Sequence, residues 1–109
     1  MMAGDIPEGL AIEQVWVVEA TYGPDAAQRR PAVRAEHLAR IAELREAGTI
    51  IEAGAFADMS ASLVLLRVRS EEDALAVVKS DVYFRSGVWT GFRVRSLGLV
   101  VPLDEVTGG

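Results

Sequence analysis

The sequence predicts an α+β domain of four strands and two helices, in the order strand–helix–strand–strand–helix–strand. Three observations carry this. Two stretches repeat their apolar residues at helical spacing, Ala32–Gly48 and the segment that follows Ser70. Four other runs are rich in Val, Ile, Leu and aromatic residues and either alternate in polarity or are apolar on both faces. The two middle runs are separated by only a few residues, which suits an antiparallel hairpin. That order is the split βαβ or ferredoxin-like arrangement, an antiparallel four-stranded sheet with two helices on one face.

Each element has its own reason. Residues 1–12 read as a flexible lead-in, because Gly4, Pro7 and Gly9 break any pattern. Glu13–Tyr22 is the first strand, with Trp16, Val18, Ala20 and Tyr22 on one face and Val15, Val17 and Thr21 on the other. Both faces are largely apolar, so this strand is expected to be covered on two sides. Gly23–Pro24 ends it. Asp25–Arg30 is either a loop or a short helical turn. Pro31 suits the first turn of a helix, where its missing N–H is not needed. Gly48 suits a left-handed helix terminator.

Thr49–Phe56 is the second strand, and Gly54 within it suggests a bulge or a close backbone approach. Ser62–Arg69 is the third strand. Ser70-Glu71-Glu72-Asp73 resembles a capping box, and its acids suit the positive end of a helix that runs to about Lys79. Ser80–Gly87 reads as irregular or as one further turn. Val88–Arg95 alternates, with Val88, Thr90, Phe92 and Val94 on one side and Trp89, Gly91, Arg93 and Arg95 on the other. Leu97–Val101 is apolar enough to pair with another segment. Residues 13–101 thus form one domain, and residues 102–109 form a tail expected to fray.

Composition narrows the function classes. The 109 residues suffice for one core, and half of them are hydrophobic. Cysteine is absent, which removes disulfides and thiol chemistry. A net charge of −5 disfavours nucleic acid, whose binding leans on Lys and Arg. No run approaches a membrane span, and no signal-peptide pattern precedes the domain, so a cytoplasmic location is expected. One histidine and no cysteine leave no metal set, and there is no dinucleotide or phosphate-loop motif. No metal and no organic cofactor are expected.

That single histidine is the residue that asks for an explanation. Val33, His37, Ile41 and Leu44 fall in one narrow sector of the predicted helix, with Leu38 at its edge, while Ala39, Glu43 and Glu46 lie opposite. His37 should therefore point inward, and an inward polar ring needs a hydrogen-bond partner. Arg34 lies one turn earlier, near the same face, and suits either a substrate carboxylate or a nearby acid.

Three segments together resemble the YCII-related family of small dimeric α+β barrel proteins. Val33–Ile41 matches its R-P-x-H-L-x-x-L helix. Ile50-Ile51-Glu52-Ala53-Gly54 matches its strand ending in A-G-P, and Ser80–Trp89 matches its D-P-Y-x-x-A-G segment. The chain departs from that pattern at Ala35, Ala55 and Val82, where the family carries proline, and at Ala61, where it carries glycine.

The resemblance implies an active-site pair of His37 and Asp81, with Ser62 near the same pocket. It also implies a dimeric α/β barrel, and the apolar second face of the first strand independently suggests that two sheets of identical chains pack together. The expected function is a cofactor-independent enzyme of isomerase, lyase or cyclase type acting on a small cyclic or anionic organic substrate. Two alternatives stand beside it: a non-catalytic dimeric module that binds a metabolite or serves as an accessory subunit, and a cofactorless oxygenase.

Overall fold

The computed structural model describes residues 6–103. The expected lead-in over 1–12 and tail over 102–109 therefore lie partly outside the described residues. The elements are β1 (Leu10–Tyr22), α1 (Ala26–Glu46), β2 (Ile50–Ala55), β3 (Ala61–Leu66), α2 (Glu71–Lys79), α3 (Val82–Arg85) and β4 (Trp89–Pro102). The strands form one antiparallel sheet in the order β2-β3-β1-β4. This is the ferredoxin-like α+β fold, with the short α3 added between α2 and β4.

Register decides which residues share a face. Trp16, Val18 and Ala20 lie opposite Leu66, Val64 and Ser62 on β3, and opposite Ser96, Val94 and Phe92 on β4. This is the face that carries the core, where Val18, Ala20, Val64 and Leu66 meet Ala74 and Val78 of α2 and Val82 and Tyr83 of α3. On the other face Val17 pairs with Leu65 and Arg95, and Glu19 pairs with Leu63 and Arg93.

Four local features differ from the sequence reading. The helix begins at Ala26, so Asp25–Arg30 is not a loop, and Pro31 lies inside α1 rather than in its first turn. The Pro31 ring removes the bond that residue 31 would donate to the Ala27 carbonyl, and the exposed position of Ala27 lets water take that carbonyl. The bulge in β2 falls between Ile50 and Glu52, not at Gly54, and a side chain at Gly54 would meet only open space.

The third difference is in β4. Thr21 pairs with Gly91, but Tyr22 pairs with Trp89, so Thr90 is an extra residue. Such a bulge reverses the alternation beyond it. Trp89 consequently joins Phe92 and Val94 against the core instead of facing away from them. Gly23 makes room for the displaced Thr90, whose Cγ2 would lie 2.4 Å from a Cβ at that position.

Fourth, β1 starts three residues before Glu13 and β4 runs on to Pro102, so Leu10–Val15 and Leu97–Pro102 pair as a two-stranded extension beyond β3. Leu97–Val101 thus finds its partner within the chain. The extension makes the molecule elongated, 51 × 26 × 26 Å.

The helix ends follow their local chemistry. Gly48 has φ +85°, and the Thr49 N–H donates to the Leu44 carbonyl to close α1. Ser70 Oγ accepts the Asp73 N–H at 3.0 Å and opens α2.

Candidate active site

His37 is carried inward by α1, as its helical phase requires, and is only 7% exposed. Asp81 is 1% exposed and sits at the entry to α3. It occupies the N-cap position with extended backbone (φ −74°, ψ 143°). This is also the conformation imposed on a residue before proline, although Val82 follows here. The first helical position tolerates either residue, because its N–H has no partner within the helix.

The capping geometry aims the carboxylate. Asp81 Oδ1 accepts the Tyr83 N–H at 2.9 Å and the His37 Nδ1–H at 2.8 Å. Asp81 Oδ2 accepts from Arg40 Nη1 at 3.3 Å, and Arg40 Nη2 donates to the Val77 carbonyl at 3.1 Å. Burial pushes the Asp81 carboxyl up. The His37 hydrogen bond, the Tyr83 amide and the charges of His37 and Arg40 outweigh it and hold the group below the ordinary carboxylate range. When the imidazole is neutral, an ionised Asp81 holds its proton on Nδ1 and leaves the lone pair on Nε2. Nε2 makes no hydrogen bond among the described residues.

Aromatic rings hold the imidazole in place. Tyr83 stacks on it with centroids 3.7 Å apart and planes within 7°, and Trp89 meets it edge-on at 5.3 Å. Trp89 Nε1 donates to Ser62 Oγ at 3.3 Å, and Ser62 Oγ donates to the Tyr22 hydroxyl at 2.9 Å. His37, Ser62, Tyr83 and Trp89 line a cavity of about 160 Å³ together with Tyr22, Arg30 and Arg34. That volume is close to the roughly 150 Å³ that accommodates a single benzene ring in an apolar protein cavity. Asp81 lies behind His37, away from the cavity.

The structure thus brings together all four residues singled out from the sequence: His37, Asp81, Arg34 and Ser62. Ser62 is already engaged on both sides by Trp89 and Tyr22. Sequence reasoning missed Arg40 and Arg30 as site residues. Arg40 follows His37 by three residues and shares its helix face, a signal that was present. Arg30 was hidden by the late start assigned to the helix, and the bulge hid the direction in which Trp89 points. Among the described residues no group of three or more His, Asp or Glu side chains is placed to hold a metal ion, and no helix is long and apolar enough to cross a membrane.

Residues 15–97 match the sequence profile of the YCII-related domain. The chain belongs to the YCII-related domain family. Among solved structures it resembles a 5-chloro-2-hydroxyhydroquinone dehydrochlorinase from Burkholderia phenoliruptrix, determined in complex with 2,5-dihydroxybenzoquinone. The TM-score is 0.64 at 20% identity, covering 74% of this chain and 90% of that one. At that identity the likeness is one of fold. No curated protein matches the chain in sequence. The match to the YCII-related domain spans every element of the site, from Tyr22 on β1 to Trp89 on β4.

Proposed function

We propose that this YCII-related protein is a cofactor-independent enzyme of lyase or isomerase type that moves a proton on a small cyclic substrate. The observation that carries this reading is the bare Nε2 of His37, lining a ring-sized cavity, with Nδ1 locked by a buried carboxylate. His37 acts as the general base, taking a proton from an O–H or C–H of the substrate onto Nε2. Asp81 orients the ring and stabilises the imidazolium that forms. A base so placed contributes typically about 10²–10⁴-fold to the rate.

In the lyase form, the electron pair released by deprotonation moves into the ring and expels a leaving group at another carbon. In the isomerase form, His37 returns the proton at a different atom. The structural neighbour is described as a dehydrochlorinase and was solved with a dihydroxylated quinone. A hydroxylated six-membered ring would also fit this cavity. Arg34 and Ser62 serve as substrate-side groups, Ser62 through the hydroxyl pair it forms with Tyr22.

The functional unit is proposed to be a homodimer formed through the open sheet face. That face carries the half-buried Val17, Leu63 and Leu65 across its middle. Such a dimer would leave the cavity free, because the cavity opens on the helix side.

The test is a panel of hydroquinones, halogenated hydroxyhydroquinones and small lactones incubated in deuterated buffer. Proton exchange and halide release would be followed by NMR and ion chromatography. Turnover of one class that is lost in His37→Ala, with circular dichroism unchanged, is the expected result. Full turnover by the His37→Ala protein would refute the role of the histidine.

A further inference from the structure

Helix α1 carries five arginines: Arg29, Arg30, Arg34, Arg40 and Arg45. Three of them have a carboxylate partner: Arg29 pairs with Asp25, Arg40 with Asp81 and Arg45 with Glu52. The remaining two, Arg30 and Arg34, pair with no acid among the described residues, and both line the cavity that holds His37. Among the described residues no Asp or Glu lines that cavity.

The surroundings of Arg30 are unusual for a cation. Its Nε is buried and has no hydrogen-bond acceptor. Its guanidinium lies over the Tyr22 ring, 5.8 Å from the centroid, and Nη1 meets only the thioether of Met59 at 3.8 Å. A thioether is a weak acceptor, and a ring face holds the guanidinium plane without saturating its donors. Arg30 also lines the two surface depressions that adjoin the cavity, which places it at the mouth.

Arg30 and Arg34 stand four residues apart on one helix. Like charges at this spacing repel, and neither arginine has an acid three or four residues away on α1 to relieve it. Two unpaired guanidinium groups, one with a buried open donor, are arranged as they would be around an anion.

We infer that Arg30 and Arg34 form a carboxylate subsite at the mouth of the His37 cavity, so that the substrate is a ring bearing a carboxylate. A carboxylate accepts two parallel N–H bonds from one guanidinium, which satisfies the buried Nε–H of Arg30 together with one of its terminal N–H groups. The ring then lies inside the cavity, beside His37 and Trp89. Arg30 is thereby a positioning residue, which selects the substrate by charge and sets its orientation toward His37. The inference builds on the proposed site but is independent of the reaction type.

The test uses benzoate and benzamide, which share a ring and differ in charge. Binding is read by calorimetry and by the side-chain Nε–H resonance of Arg30 in a ¹⁵N correlation spectrum. Benzoate should bind saturably and shift that resonance, and benzamide should bind at least tenfold more weakly. Arg30→Met and Arg34→Met should each weaken benzoate at least tenfold, with Arg30→Lys recovering part of the loss. Equal binding of benzamide, or benzoate affinity untouched in Arg30→Met, would overturn the subsite. If a neutral ring is turned over in a His37-dependent way while benzoate does not bind, the subsite fails and the catalytic reading stands. If benzoate binds as described and His37→Ala retains turnover, the catalytic reading fails and the subsite stands.

Discussion

Replacing Asp81 with Asn exchanges one carboxylate oxygen for an NH₂ and tests the whole arrangement of the site. The carboxylate receives three donors: His37 Nδ1–H, the Tyr83 amide and Arg40 Nη1. An amide cannot serve them all. With its oxygen toward His37 and Tyr83, its NH₂ faces Arg40, donor against donor. With the amide turned over, the NH₂ faces the Tyr83 N–H and forces the imidazole proton onto Nε2. Either way one charge-assisted hydrogen bond is lost in a site that is 1% exposed. Such bonds contribute about 1.5–3 kcal/mol each, so the variant should lose about that much. For a domain of this size that is a fall of roughly 6–12 °C in Tm.

The pH dependence carries the sharper test. The folded-state pKa of Asp81 lies below its ordinary value, so its contribution is fully present above the unfolded pKa, near 3.9. It is lost as pH falls through the lower folded value. Urea unfolding of both proteins at a series of pH values should therefore show a stability gap that persists down to about pH 4 and narrows below it. A gap of constant size into strong acid would refute the reasoning, because it would make the difference one of shape rather than charge.

Two further substitutions probe how the site is built. Gly23→Ala drives a Cβ against the stiff side chain of Thr90 and should destabilise the fold by about 1–3 kcal/mol in thermal melts. Adding Thr90→Ser, which removes the opposing methyl, should restore most of that loss, and an additive double variant would show that the two residues do not meet. Ala55→Leu enlarges a small, exposed side chain that shares the cavity face with Ser62, so stability should change by no more than about 0.5 kcal/mol. Benzoate affinity should nevertheless fall at least tenfold, and an unchanged affinity would place the ligand elsewhere.

Much of the fold was legible because its signals are local. The strand order follows from alternation and loop length, α2 from Ser70 and its acids, and the end of α1 from Gly48. The inward aim of His37 was legible from helical phase alone, with Val33, Ile41 and Leu44 marking the buried sector. Its partner was not. Asp81 lies 44 residues away in sequence and came into view only through resemblance to a known family.

Two misreadings had physical causes. Pro31 is a strong start signal, yet tertiary packing carried α1 through it and back to Ala26, which put Arg30 on the cavity face. Period-two alternation in Val88–Arg95 holds only while each residue has one partner. The extra residue at Thr90 breaks that condition and swings Trp89 to the other side. No sequence window of that length contains the information that a neighbouring strand is one residue short.

The placement of Trp89 also gives the molecule an optical readout. The chain has two tryptophans, and Trp89 lies edge-on to His37 with centroids 5.3 Å apart, while Trp16 sits six residues along β1 from Tyr22. In a Trp16→Phe background the fluorescence of the protein therefore comes from one indole on the wall of the cavity. Arrival of a ligand beside that indole can be watched without a label.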